Sequence, residues 1–518
     1  MNKFPEVLLN GNAPYLGKTM QLLSAVGQPL EYYQTEQFQP GHVPWEMVTY
    51  PGRSAISIGR HPDAFTLVPH TAAFQAFLDT YSRIDEYYGA NTQLHPVRVD
   101  FTVTNGQKIK PWEELLAEQG KEISKQLRRS SRLPLLIVTQ THSPDTDHFM
   151  DVLRSNNIVA TALFPIKNQR RPSYNYRDGF SSERLGTDEL PFTKKYHIPA
   201  PPGKIIMHPQ EAQHAYEQIA DETGQPTVYV KLDASGGGYF TLKARSGEDA
   251  QEVFNGWVTN GDRSALYVQM IPVEIQGLIP SETILGIYSF QYAGKENVTL
   301  GLGFTEQVMT GDLWQGNIYN TQLERIPAEK RNATLQVIKE FQRRVLQGIK
   351  QEQQSKSEEQ EFTTGGVDFA LVDMNILKDN VKDIAAYIPE DFLAFAMTVG
   401  SDIVPVAIEH NGNRVSDALW PALVAQRLGI GDKPFMTNYV SPVATTLDVA
   451  WDFMKKSHLQ YEKERGYGIV PLVWVLDESI GIKTGAMISI ASSRQELGVI
   501  QENAIENLRK FHIIEQAA

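Results

Sequence analysis

Apolar and polar positions alternate through Pro226 to Arg245, PTVYVKLDASGGGYFTLKAR. Val228, Val230 and Leu232 share one face of a strand, and Phe240, Leu242 and Ala244 take up the pattern after a glycine turn. Thr227, Tyr229 and Lys231 face the other way. The stretch predicts a strand, a glycine loop and a strand, with Lys231 directed away from the apolar layer. Ser235, Gly236, Gly237 and Gly238 give a loop free to take positive φ and to offer backbone N–H groups to an anion, which suits a phosphate cover. A plain hairpin tip is the alternative, since glycine is common in turns for steric reasons alone. The loop is neither a P-loop nor a dinucleotide fingerprint, because an alternating run follows it rather than a helical one.

Elsewhere the same reading gives mixed elements. In the N-terminal third, short apolar runs (EVLLNG, SAISIG, LPLLIVTQ, NIVATALFP) alternate with helix-like stretches at Ala72 to Tyr88 and Pro111 to Leu127. That is the pattern of an α/β unit with a mostly parallel sheet. Leu190 to His197 predicts a short helix ending before Pro199, Ala200-Pro-Pro-Gly203 a break, and KIIM a strand. A helix over Pro209 to Thr223 places Ala212, Ala215, Tyr216, Ile219 and Ala220 on one face, and LYVQMIPVEIQ reads as a later strand. Leu335, Ile338, Phe341, Val345 and Ile349 form one face of a longer helix, followed by the charged, solvated run QEQQSKSEEQE.

Composition narrows the function classes. The chain has 518 residues, 41% hydrophobic and 21% charged, enough for two to four domains with a substantial core. A formal charge of −13 argues against nucleic acid as a partner. The absence of cysteine excludes thiol catalysis, disulfides and cysteine-ligated zinc. No run has the length of a signal peptide or a spanning helix, so a cytoplasmic protein without a membrane partner is expected. The sequons at Asn297 and Asn332 are then chance matches.

Two strands carry the strongest candidate chemistry. In TGGVDFALVDM, Val367, Phe369 and Leu371 take one face, and Asp368 the other beside small Ala370. In IVPVAIEHNGNR, Val404, Val406 and Ile408 take one face, leaving Glu409 and Asn411 with small Ala407 on the other. Carboxylates and an amide on faces cleared by alanines suit Mg²⁺, a hard ion that prefers oxygen ligands. Arg414 is placed for a phosphate contact. A salt-bridge network on a polar sheet face is the alternative. Weaker candidates are His142, Asp145, Asp147 and His148 as a metal cluster, most of which helix capping and first-turn acids explain, and the loop Arg60 to Asp63, for which loop polarity is the plainer account. Arg170, Arg171 or Arg177 in KNQRRPSYNYRDGF offer a carboxylate contact, and Lys194 or Lys195 a nucleotide contact.

In this order, Lys231, glycine hairpin, Glu274, Asp368 in GVDF and Glu409-His-Asn411 with Arg414 resemble the ATP-grasp superfamily, over roughly Glu183 to Leu428. The usual E-x-N-x-R reads EHNGNR here, with one extra residue before Arg414. FTEQVMTGDLWQGNIYN and the tail YGIVPLVWVLDESIGIKTGAMISIASSRQEL are also similar to the subgroup with a pre-ATP-grasp domain, that of pheganomycin-type peptide ligases.

The resemblance implies a fold and an activity. The fold would be α/β and α+β, with an N-terminal α/β pre-ATP-grasp domain over 1–181. The two α+β ATP-grasp subdomains would cover 182–272, with the glycine hairpin, and 273–430, with the metal strands. A small α+β region would follow at 431–518. Lys194 and Lys231 would bind ATP, the Ser235 to Gly238 loop would close over its phosphates, and Gln269, Met270 and Ile271 would form the adenine hinge. Glu274 would lie at the ribose, Asp368, Glu409 and Asn411 would hold Mg²⁺ or Mn²⁺, and Lys231 and Arg414 would act in catalysis. The activity would be ADP-forming ligation of a small carboxylate to an amine, amino-acid or peptide-like, through an acylphosphate. The absence of a G-x-S-x-G elbow and of cysteine agrees with chemistry that needs no acyl-enzyme. Phosphoryl transfer to another acceptor, or nucleotide binding without turnover, are the alternatives, and the reading leaves room for a homo-oligomer.

Overall fold

The computed structural model describes most of residues 180–515 and, before them, the segments 20–24, 64–69, 94–99, 118–126, 135–139, 151–158 and 160–162. From residue 180 onward it leaves out 187–189, 233–240, 260–272, 296–297, 311–312, 356–362, 413–420, 422–424, 426–427, 431–432, 444–445 and 478–481. The chain divides into two units. One comprises Met1–Arg171, Gln315–Thr321 and Arg414–Ala518, the other Pro172–Trp314 and Gln322–Asn413.

The first unit opens with β1 (Met20–Ser24), β2 (Ala64–Pro69), β3 (Leu94–Val99), β4 (Leu135–Thr139) and β5 (Ala160–Ala162). They run parallel in the order β3-β2-β1-β4-β5. A parallel sheet is therefore present as expected, with β4 inside LPLLIVTQ, β5 inside NIVATALFP and a helix at 118–126, whereas β1, β2 and β3 fall on none of the runs that predicted it. EVLLNG, SAISIG and Ala72 to Tyr88 lie outside the described residues.

The second unit contains two sheets. The smaller is built from β6 (Glu183–Arg184), β7 (Gly203–Ile206), β8 (Val228–Leu232), β9 (Thr241–Ala244) and β10 (Val273–Gly277), in the order β6-β7-β10-β8-β9. Its pairs are antiparallel except β6 with β7. α1 (Phe192–Lys195) packs through Phe192 on the core of the larger sheet, while α2 (Ala212–Thr223) and α3 (Gly247–Thr259) pack on the smaller one. Ala212, Ala215 and Ile219 of α2 and Ala250 and Phe254 of α3 pack on Val228, Val230, Val273 and Ile275, the faces that alternation and helical spacing both predict. The entry to α2 is fixed by the Glu211 carboxylate, which accepts from the Met207 and His208 N–H groups at 2.8 and 2.9 Å. Its exit is Gly224 at φ 71, a left-handed cap that glycine takes without steric cost.

From β10 the chain passes through Leu278 to Pro280 into the larger sheet, with β11 (Ile284–Lys295) and β12 (Val298–Thr310). It then gives most of β13 (Leu313–Tyr319) to the first unit and continues through α4 (Ala328–Ser355), β14 (Thr363–Asp373), α5 (Met374–Asn380), α6 (Glu390–Thr398) and β15 (Ile403–Gly412). Within this unit the strand order is β15-β14-β11-β12, antiparallel throughout. α4, about 42 Å long, lays Val337, Ile338, Phe341, Val345 and Ile349 into the core of this sheet. Phe341 lies 5.2 Å from Phe369, which stacks on Tyr288 at 5.7 Å. Each such side chain contributes about 1.5–3 kcal/mol by leaving water, so this face of the sheet is committed to packing. α4 runs on to Ser355, so the charged run expected to be a solvated extension begins as helix.

The break expected at Ala200-Pro-Pro-Gly203 is present, with no helix or strand before β7 begins at Gly203, and together with Pro199 it ties the two sheets together. Ala407 N–H donates to the Pro199 carbonyl at 2.7 Å, and Gly277 N–H to that of Pro202 at 2.8 Å. Ala200 N–H donates to the Tyr387 carbonyl at 2.9 Å, and the Tyr387 hydroxyl donates to the Leu278 carbonyl at 2.8 Å. Prolines that cannot donate still accept, which is how this stretch satisfies neighbours on both sides.

The first unit closes with β16 (Phe435–Val440), α7 (Leu447–Lys456), β17 (Gly468–Asp477), β18 (Ile482–Ile490) and α8 (Arg494–Lys510). The antiparallel order is β13-β16-β18-β17, and Ala450, Met454, Trp474, Met487, Ala504 and Leu508 share its core. Ser493 caps α8 by accepting from Glu496 N–H, and the Glu496 carboxylate accepts from Ser492 N–H at 2.9 Å. Among the described residues no helix is long and apolar enough to cross a membrane.

Candidate active site

β14 and β15 are the two strands predicted to carry the metal ligands, and their pairing differs from simple alternation at one residue. Asp368 pairs with Glu409, but the next position, Phe369, pairs with Ala407, so Ile408 is an extra residue in β15. This is a β-bulge, and a bulge re-aims the side chains that follow it. Before it, Val404 and Val406 lie opposite Val372 and Ala370, on the Asp368 face, while Ala407 lies opposite Phe369 and is wholly buried in the core. After it, Glu409 and Asn411 return to the Asp368 face. The expectation that Ala407 clears space beside Glu409 is thus corrected: Ala407 looks into the core, and the room beside the carboxylates comes from Ala370 and from Gly366, opposite Asn411. If β15 alternated regularly through Ile408, that residue would lie opposite Asp368, and Glu409 would share a face with Ala407 and Phe369.

The neighbouring strand β11 adds two polar residues to this face. Ser289 pairs with Asp368 and Gln291 with Gly366, whereas Tyr288, Phe290 and Tyr292 point to the packed side. Ser289 donates to Asp368 Oδ1 at 2.5 Å, and Asn411 Nδ2 donates to Asp368 Oδ2 at 3.1 Å. Both carboxylate oxygens are thereby oriented by neutral donors. Gln291 Nε2 donates to the Ser289 hydroxyl at 2.6 Å. Among the described residues, Asn411 Oδ1 and Gln291 Oε1 are buried with no hydrogen-bond partner. Each such oxygen costs about 1–3 kcal/mol unless something accepts its lone pairs. Sequence reasoning missed Ser289 and Gln291, although a signal exists: they are the polar positions, two apart, in the otherwise apolar YSFQYA.

A metal ion fits this set. Two carboxylates and two unpartnered amide oxygens on one sheet face are an oxygen-only donor group, as Mg²⁺ or Mn²⁺ requires. Among the described residues no three His, Asp or Glu side chains gather into a metal cluster. His410 takes no part. It lies on the packed face opposite Val367, where it stacks on Phe180 at 4.9 Å and meets the Tyr292 hydroxyl at 2.7 Å through Nε2.

The smaller sheet holds a second polar cluster. Lys231 on β8 pairs with Glu274 on β10, and Tyr229 with Gln276, so all four share the face opposite the apolar layer, as alternation predicts for Lys231. Lys231 is nevertheless buried, and Glu274 is 0% exposed. Lys231 Nζ lies 4.0 Å from Glu274 Oε2 and donates to Gln276 Oε1. Glu274 Oε1 accepts from the hydroxyls of Ser181, at 3.3 Å, and of Ser182. A buried ammonium and a buried carboxylate are tolerable as an ion pair whose members are hydrogen-bonded by their neighbours, here Gln276 for Lys231 and the two serines for Glu274. Ser181, Ser182 and Gln276 are further residues that the sequence did not single out.

Nearby, Lys194 donates to Glu183 Oε1 at 2.5 Å and Lys204 to Glu183 Oε2 at 2.6 Å. Partial burial alone raises the Glu183 carboxyl, and the two ammonium groups outweigh it and hold the carboxyl below the usual range. Lys195 is engaged with Glu352 at 2.5 Å.

No family model matches the sequence, and no curated protein matches it. Among solved structures the chain is similar to pyruvate carboxylase of Rhizobium etli with acetyl coenzyme A, at TM-score 0.50 and 11% identity over 94% of this chain and 37% of that one. It shares the fold of that segment. It is also similar to N5-carboxyaminoimidazole synthase of Aspergillus clavatus with ADP and 5-aminoimidazole ribonucleotide, at TM-score 0.49 and 10% identity over 94% and 98% of the chains. A third is the biotin carboxylase domain of the Hydrogenobacter thermophilus 2-oxoglutarate carboxylase with MgADP, at TM-score 0.46 and 14% identity over 94% and 90%.

Of the residues expected in the site, the structure brings Asp368, Glu409 and Asn411 together on one face and pairs Lys231 with Glu274. Lys194 sits at the edge of the smaller sheet with Glu183. Ser235, Gly236, Gly237, Gly238, Gln269, Met270, Ile271 and Arg414 lie outside the described residues. So do Arg60 to Asp63, His142, Asp145, Asp147, His148, Arg170, Arg171 and Arg177.

Proposed function

We propose that this protein is an ATP-dependent ligase of the ATP-grasp kind, which joins a small carboxylic acid to an amine and releases ADP and phosphate. The observation that carries the reading is the bulge at Ile408, which turns Glu409 and Asn411 onto the face of Asp368 and leaves two buried amide oxygens beside them. A local distortion that gathers oxygen donors on an otherwise well-packed sheet is a functional feature rather than a packing solution. The fold shared with the carboxylase segment, and the order of Lys231, Glu274, Asp368 and Glu409 along the chain, support the same reading.

In this reading Asp368, Glu409 and Asn411 hold Mg²⁺, which when bound neutralises charge on the nucleotide phosphates. Lys231, paired with Glu274, binds the nucleotide, with the Ser235 to Gly238 loop covering the phosphates and Gln269 to Ile271 against the adenine. Glu274 contributes by holding Lys231 and lies toward the ribose side. Lys194 and Arg414 supply further positive charge. A carboxylate oxygen of the acid bonds to the γ-phosphorus as ADP leaves, giving an acylphosphate. The amine then bonds to the acyl carbon, phosphate leaves, and the amine gives up a proton. The chain's own work is to orient the two reactants and to stabilise charge, with no covalent enzyme intermediate.

The likeness of FTEQVMTGDLWQGNIYN and of the tail YGIVPLVWVLDESIGIKTGAMISIASSRQEL to the peptide-ligase subgroup supports an amino acid or short peptide as a substrate. The test is an ADP-release screen of mixed carboxylic acids and amines with Mg²⁺ and ATP, followed by product analysis. An amide with ADP and phosphate supports the reading. A phosphorylated acceptor, or binding without turnover, replaces it.

A further inference from the structure

On β11, β14 and β15 the residues of the site face stand in two rows. Gln291, Gly366 and Asn411 form one, and Ser289, Asp368 and Glu409 the other. Gln291 is 1% exposed, and its amide has only one way to lie. The Ser289 hydroxyl gives its single proton to Asp368 and so can only accept from Gln291, which must therefore present Nε2 to it. Gln291 Oε1 is left facing elsewhere, buried and, among the described residues, without a donor. A Cβ on Gly366 would stand 2.8 Å from both ends of that amide, so the amide lies across the glycine, where any side chain would displace it. Asn411 on the far side of Gly366 is turned in the same sense: Nδ2 is held by Asp368, and Oδ1, in a residue 5% exposed, has no partner among the described residues.

Two amides, each anchored by its nitrogen to the Asp368 network, thus leave their oxygens unpaired on either side of a residue with no side chain. We infer that Gln291 belongs to the divalent cation site and supplies Oε1 as a neutral oxygen ligand, opposite Asn411. Ser289 links it to Asp368 and fixes which end of the amide meets the ion. The inference rests on the metal reading proposed above and adds a third strand, β11, to it. An oxygen-rich site with few charges suits a cation delivered with an anionic partner, because each neutral ligand coordinates without adding charge.

The experiment is Mn²⁺ binding to the nucleotide-free protein, followed by electron paramagnetic resonance of the unbound ion and by thermal shift. It compares wild type with Gln291→Met, Gln291→Glu and Glu409→Gln. Met removes the oxygen at similar length, and its folded form should bind Mn²⁺ on the order of tenfold more weakly. Glu adds a charged ligand, so binding should tighten and Mn²⁺ should raise its melting temperature more than that of wild type. Equal Mn²⁺ affinity in wild type and both Gln291 variants, with Glu409→Gln binding weakened, overturns the role of Gln291 while leaving the metal site standing. A Gln291→Glu variant whose loss of melting temperature Mn²⁺ does not restore overturns it too. No Mn²⁺ binding by wild type overturns the metal reading itself, and the inference with it.

Discussion

Glu409 stands directly across from Asp368 because Ile408, the residue before it, has no partner on β14. That one extra residue decides which chemistry this sheet can support. It keeps Ala407 beside Phe369 in the core and sends the next carboxylate to the other side.

Ala407 therefore provides a test of the bulge. Ala407→Leu should overpack a fully buried position and lower stability by about 1–3 kcal/mol. Mn²⁺ affinity of the folded fraction should stay at the wild-type level. Denaturant unfolding and metal titration of the same variant check both. Weakened metal binding without loss of stability would put Ala407 on the site face after all.

Lys231 illustrates what burial adds to alternation. The strand pattern gives its direction, yet only the structure shows the ammonium enclosed with Glu274 and Gln276. Lys231→Met should leave the Glu274 carboxylate uncompensated and destabilise the fold by about 3–5 kcal/mol. The double variant Lys231→Met with Glu274→Gln should recover most of that stability and none of the ATP affinity. Chemical unfolding with calorimetry of ATP binding separates the two effects. Full recovery of ATP binding in the double variant would remove Lys231 from the nucleotide site.

Glu183 predicts a dependence on pH. Its carboxyl lies below the usual range because Lys194 and Lys204 both donate to it, against the opposing effect of burial. A carboxyl whose value is depressed on folding stabilises the protein above its unfolded value, and that share is lost as pH falls through the folded value. Melting temperatures recorded from about pH 6 down to about pH 3 should fall less steeply for Glu183→Gln than for wild type. Parallel curves would show that the two lysines do not act on this carboxyl.

Much of the architecture was legible because it depends on periodicity. The helix faces of Ala212 to Ile219 and of Ile338 to Ile349, and the strands GVDFALVD and IVPVAIEH, appear where spacing puts them. Two kinds of feature were not. A bulge breaks the period of two without altering composition, so Ile408 cannot be told from a regular position until its partners on β14 are known. Contacts between strands distant in sequence were also hidden: Ser289 reaches Asp368 across 79 positions, and Ser182 reaches Glu274 across 92. A serine reads as surface polarity until the carboxylate it serves is in place.

The core aromatic pair offers a control that leaves the site untouched. Phe341 is fully buried against Phe369, on the side of the sheet away from Asp368 and Glu409. Phe341→Ala should cost about 3–5 kcal/mol and leave the ATP affinity of the folded fraction unchanged. A selective loss of ATP binding at full stability would mean that this face of the sheet is not merely packing.

The most direct test of the account is the rate of ADP release by Glu409→Gln beside its melting temperature, once an acid and amine pair is in hand. The substitution removes a charge and keeps the shape of a half-buried side chain. The account predicts a variant that melts near the wild-type temperature and turns over at least about a hundredfold more slowly, since charge stabilisation of this kind is worth several kcal/mol. A folded variant releasing ADP at the wild-type rate would contradict it and leave the ligase reading without its metal.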